Sequence, residues 1–184
     1  MRTALALSLA AIAGSILLGA CGNGESEPAA MPASPAAAPQ IDPADYVESA
    51  GMSGLFEVES SRVATSRASS PDVRRFARMM VRDHVVANAE IRRAAAASNP
   101  ALQPRTTLDP ERREELNALR SAARPDFDRL YMHGQIDGHQ KALELQQSYS
   151  ASGGDPGLKA LASELVPMVQ RHLEEALTIL ANLR

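Results

Sequence analysis

The chain has 184 residues, 45% of them hydrophobic but only 3% aromatic, with no Trp, a single Cys and a formal net charge of −3. That length holds one domain with appendages. The slightly acidic balance excludes a bulk nucleic-acid binder, and one Cys excludes an internal disulfide framework. Abundant Ala, Leu, Arg and Glu suit helices that pack through small residues.

Residues 1–20 read as a targeting segment rather than part of the fold. Arg2 supplies a positive start, and Ala4–Leu17 is an apolar run too short to span a bilayer comfortably as a permanent helix. Leu18-Gly19-Ala20-Cys21 looks like a lipobox, in which the small residues admit a peptidase and the Cys21 thiolate receives a lipid. The expectation is a palmitate-bearing lipoprotein held in the membrane through Cys21. Gly22 follows the anchor where inner-membrane retention typically uses Asp, which favours an outer-membrane address facing the periplasm. Residues 21–40 read as the lipidated Cys and a tether: Pro28, Pro32, Pro35 and Pro39 stand among Ala, Ser, Gly and Glu with no apolar period. Residues 41–184 are the expected folded domain.

Within that domain, helix starts repeat. Asp42-Pro43, Ser70-Pro71, Asp109-Pro110 and Asp155-Pro156 each place a capping side chain before a proline, whose missing N–H costs nothing at the first helical position. Pro125-Asp126 is a weaker start, and Asn99-Pro100 and Gly153-Gly154 are stops. Long helices are expected at about 42–67, 71–97, 126–151 and 155–183, with a shorter one at about 109–122. Core stripes recur at steps of three and four. The first reads Val47, Ala50, Gly54, Glu57, Ser61, Ala64 and the second Val73, Ala77, Met80, His84, Ala87, Ile91. Phe127, Tyr131, Ile136, His139, Ala142 and Leu143 mark the next long helix; Leu158, Leu161, Leu165, Met168, His172, Ala176 and Leu180 mark the last. No strand pattern occurs. The fold class is all-α: a four-helix bundle with a short additional helix between the second and third long helices. Pro167 should kink the last helix and free the carbonyl of Ser163.

Glu57, His84, His139 and His172 all fall on these stripes near mid-helix. Counted from the hairpin turns at 1.5 Å per residue, the pair in each hairpin differs in height by only about 5–6 Å. One polar residue from each long helix then enters the same core layer. Unpaired, such groups cost several kcal/mol, so they satisfy one another or bind something. Three imidazoles and a carboxylate suit a divalent transition metal: Zn, Cu, Ni or Fe. A hydrogen-bonded layer that fixes helix register is the competing expectation. Met80 and Met168, each four residues before a core His, would suit copper or simply pack. Asp83, adjacent to His84, is expected at the surface or as an outer partner, and His133 lies off the stripe. The Glu-x-x-His pattern of di-iron carboxylate bundles is absent: Val81, Ile136 and Val169 stand three residues before the three histidines. No phosphate loop, nucleophile elbow or His-Glu-x-x-His occurs, so an enzyme is disfavoured. The arginine stripe of Arg74, Arg75, Arg78 and Arg82 is expected to be a solvated face.

Phe76-Ala77-Arg78-Met79-Met80-Val81-Arg82-Asp83-His84, followed by Ala87-Asn88, resembles the core motif of the bacterial domain-of-unknown-function family 4142. So do Glu57-Val58-Glu59, Tyr131 with Gln135 and His139, and Pro167 with His172-Leu173. The resemblance spans roughly residues 42–183. It implies a ferritin-like four-helix fold in exported, often lipid-anchored envelope proteins, puts the family's recurrent histidines at His84, His139 and His172, and adds Gln135 as a candidate support. It brings no established activity. Gln140 departs from the pattern, which has an acidic residue after the His. Three functions compete: an envelope module that binds a metal or small ligand in the bundle, a structural or protein-interaction module of the envelope, and, on fold analogy alone, a ferritin-like oxidoreductase.

Overall fold

The computed structural model describes residues 40–183; the expected leader, lipobox and most of the tether lie outside the described residues. The domain consists of α1 (Pro43–Arg67), α2 (Pro71–Ala97), α3 (Pro110–Ser121), α4 (Arg124–Ser152) and α5 (Pro156–Asn182), with no strand among the described residues. Four helices begin where the sequence places a cap before a proline. Asp42, Ser70, Asp109 and Asp155 each accept backbone N–H groups of the first turn, each cap contributing about 1 kcal/mol. The start of α4 differs from expectation. It begins at Arg124 and has no side-chain cap, because Pro125 fits inside a first turn, where no N–H is needed.

α1 packs on α2, α4 on α5, and the two hairpins join through α2 against α5 and α1 against α4. One apolar cluster gathers Ala64 from the end of α1, Phe76 and Met80 from the start of α2, Phe127 and Tyr131 from the start of α4, and Ile179 from the end of α5. The other gathers Tyr46 and Val47, Ile91 and Ala95, Tyr149, and Leu158 and Leu165 from the opposite helix ends. α2 and α4 therefore run in one direction and α1 and α5 in the other. The Ser98–Ala123 crossover, carrying α3, returns along the bundle, and this single long connection is the ferritin-like arrangement. α3 packs outside α1 through Leu116 on Met52 and Leu108.

Two details position the core. Gly54 lets α1 approach α2 closely, since a Cβ there would stand 1.9 Å from Asn88 Oδ1. The stripe of α4 is displaced from expectation: Ala142 and Leu143 are half-buried, whereas Gln146 and Tyr149 are buried. The reason is cross-helix pairing. Tyr46 donates to Gln146 Oε1 at 2.7 Å and stacks on Tyr149 with centroids 3.9 Å apart, which repays burial of the amide. Pro167 lies inside α5 and does not end it.

Candidate metal centre

Between the two apolar clusters lies a polar layer. His84, His139 and His172 enter it from α2, α4 and α5, and are 7%, 1% and 2% exposed. Their ring centroids are 5.4–5.5 Å apart in all three pairs, and each ring offers a nitrogen within 4.8 Å of the others. Helix spacing accounts for this: each His follows an apolar stripe to mid-height, where the four helices face one another.

Neighbouring groups fix which nitrogens face inward. His139 Nδ1 lies 2.7 Å from the Gln135 carbonyl, one turn earlier on α4. A carbonyl can only accept, so Nδ1 carries the proton and Nε2 keeps its lone pair. His172 Nε2 lies 3.1 Å from Asp83 Oδ2, so it donates to the carboxylate and Nδ1 keeps the lone pair. Asp83 is itself held by the Arg82 guanidinium at 2.8 Å. Burial alone would raise this carboxyl, but Arg82 and His172 hold it below its usual value and ionised. His84 Nε2, His139 Nε2 and His172 Nδ1 are all buried without a hydrogen-bond partner among the described residues. Such orphans cost about 1–3 kcal/mol each if nothing occupies the space between them.

Electrostatics keep the His84 and His172 rings neutral. Burial, reinforced by the neighbouring imidazoles, pushes His84 well below the ordinary 6.5. Burial and His139 depress His172 to about 4 despite the opposing Asp83. Neutral imidazoles with free, converging lone pairs are what a metal ion requires. The donated N–H to a carboxylate or backbone carbonyl is the usual support behind a metal-bound His.

Glu57 corrects the sequence reading. It is buried at the height of the layer but stands outside the histidine group. Its Oε2 accepts from Gln135 Nε2 at 2.6 Å, and its Oε1 lies 4.0 Å from His139 Nδ1, the nitrogen already committed to a carbonyl. Burial raises its carboxyl above the usual range, against the pull of His139, Gln135 and Arg112, which favours the neutral acid. Gln135 therefore supports the centre twice, through its amide to Glu57 and its carbonyl to His139. Asp83 is an outer partner, but of His172 on the neighbouring helix rather than of the adjacent His84. Met80 is a fully buried member of an apolar cluster, and Met168 lines a small cleft of about 30 Å³ beside His84. His133 is exposed, and Gln140, where the family resemblance has an acid, is exposed as well. Arg74 caps the carbonyls of Ala68 and Ser69 and Arg75 pairs with Asp72, as on a solvated face. Sequence reasoning missed Asp128, which is buried and accepts from the backbone N–H groups of Ser69 and Ser70 at 2.7–3.2 Å. Only a polar residue close to a stripe could have hinted at it.

The model of the family described as "Domain of unknown function (DUF4142)" matches residues 27–179. No curated protein matches the chain. Among solved structures, the fold is similar to CopM in its Cu(II)-bound form, with a TM-score of 0.66 at 17% identity, covering 78% of this chain and 98% of that one. CopM in its Cu(I)-bound and Ag-bound forms gives TM-scores of 0.65 and 0.62 at the same identity and coverage.

Proposed function

We propose, from the premise that the chain belongs to the DUF4142 family, that it is a copper-binding protein of the cell envelope whose ion is held by His84, His139 and His172. The observation that carries this reading is the set of three orphaned, converging ring nitrogens, two of them aimed by Asp83 and the Gln135 carbonyl. The fold is shared with CopM, whose structures hold copper and silver, and we take copper as the ion from that likeness.

Charge also favours copper. Imidazole is an uncharged ligand, and among the described residues Asp83 is the ionised carboxylate hydrogen-bonded to the set. The cost of burying an ion grows with the square of its charge, so a monovalent ion costs about a quarter as much as a divalent one. Cu(I) would place a single positive charge beside the Asp83 carboxylate that supports His172. Among divalent first-row ions, imidazole sites bind Cu(II) most tightly. The role is holding rather than catalysis, with the leader and Cys21 lipid delivering the domain to the outer membrane facing the periplasm. The Pro-rich residues 22–40 would then set its reach.

The test is a competition titration of tag-free protein against a chromophoric Cu(I) chelator, with elemental analysis of protein drawn from native envelope. Wild-type chain should hold one copper per chain, and Ala at any one of the three histidines should remove most of the affinity, while His133→Ala leaves it intact. At 100-fold excess over Kd, copper should stabilise the fold by about 2.7 kcal/mol. Metal-free native protein that melts identically with copper, zinc, nickel, iron or chelator sinks this reading. The layer is then a hydrogen-bonded core element, and the chain an envelope interaction module.

A further inference from the structure

A cavity of about 360 Å³ lies between α1, α3 and α4; His133 is in its lining, whereas His84, His139 and His172 are not. Its walls include Phe56, Leu119, Leu130 and Tyr131, and its lining also takes in Glu57 and Gln135. The volume is that of a small-molecule site, which typically spans about 300–1,000 Å³ and pairs apolar walls with a few convergent polar atoms. Those atoms are present and lack partners. Gln135 is 1% exposed, and its Oε1 has no hydrogen-bond partner among the described residues. Glu57 is 2% exposed; Gln135 Nε2 occupies its Oε2, and Oε1 accepts no hydrogen bond among the described residues. Gln135 Oε1 can only accept, whereas Glu57 Oε1 carries the proton in the neutral acid and can donate as well. Charged side chains of both signs line the cavity as well, so selection falls to the buried polar pair.

We propose that this cavity binds a small molecule with an apolar body and a hydrogen-bond-donating head, such as an alkylammonium ion or an alcohol. The body lies against Phe56, Leu119 and Leu130, and the head donates to Gln135 Oε1 while pairing with Glu57 Oε1. An acceptor-only head such as a carboxylate would leave Gln135 Oε1 unpaired and is disfavoured, because an unpaired buried polar group is costly. The site stands independently of copper, although its occupant touches the residue whose carbonyl aims His139.

The experiment uses the metal-free full chain and follows the backbone amides of Gly134 and Gly138, both in the cavity lining, by NMR during titration with n-hexylamine, 1-hexanol and hexanoate. Saturable shifts with the amine and the alcohol, at least tenfold tighter than hexanoate, are expected. Gly134 lines the cavity and a Cβ there would meet nothing within 4 Å, so Gly134→Trp brings a bulky side chain to the cavity without a clash at Cβ; it should abolish the response while helical circular dichroism stays unchanged. No saturable shift with any probe, equal binding of hexanoate, or an undiminished response in Gly134→Trp would each overturn the proposal.

Discussion

His172 on α5 donates from Nε2 to Asp83 Oδ2 on α2 across 3.1 Å, and this contact decides which face of the imidazole is left for a ligand. Arg82 holds the other carboxylate oxygen, so the acid is fixed from both sides. Supporting partners of this kind typically change metal affinity 10–100-fold. Asp83→Ala should therefore weaken Cu(I) binding by about that factor, while Asp83→Glu recovers part of it. Competition titration reads both. Equal affinity in Asp83→Ala would show that the bond does not position the ring.

The depressed histidines give the pH dependence its sign. In the unfolded chain His84 and His172 bind protons near 6.5; in the fold, burial keeps both neutral far lower, His172 down to about 4. The unfolded state thus holds more protons through that window, and the metal-free protein should lose stability as pH falls from 6.5 towards 4. Glu57 acts in the opposite sense: its raised carboxyl contributes fully below 4.5, and that contribution is lost as pH rises through its folded value. The difference in melting temperature between wild type and His172→Gln, taken across pH 4–7, isolates the histidine. A flat difference contradicts the sign. Protons should compete with copper at His84 and His172 only at lower pH than they would at ordinary imidazoles.

Asp128 ties the α1–α2 turn by accepting from the backbone of Ser69 and Ser70. Hydrogen bonds to a charged group contribute about 1.5–3 kcal/mol, so Asp128→Ala should destabilise by roughly that amount in denaturant melts. It lies eleven residues before His139 on α4, about 16 Å along the helix. Copper affinity should stay within a factor of two. A parallel loss of affinity would couple the turn to the centre.

The unique Cys behind Leu18-Gly19-Ala20 carries the expected anchor. Cys21→Ala should end incorporation of labelled palmitate and move the protein from the membrane pellet to the soluble fraction or leave it uncleaved. Unchanged labelling and sedimentation would remove the lipid anchor from the proposed function.

The sequence by itself determined the helices, four of their five starts and the height of the polar layer. Asx-Pro and Ser-Pro caps are local chemistry, and a helix converts residue number into rotation and rise, so His84, His139 and His172 could be placed on inward faces at one level. Tertiary structure decided what those coordinates leave open: lateral neighbours and rotamers. Asp83 is one residue from His84 and about 100° around α2, which turns it towards α5 and gives it to His172. Glu57 has the right height, but Gln135 lies within reach of its carboxyl and takes it out of the ligand set. Tyr46 draws Gln146 into the core against its polarity. Each outcome depends on which side chain from another helix stands within hydrogen-bond distance, 2.6–3.1 Å here, a relation that periodicity along one helix does not contain.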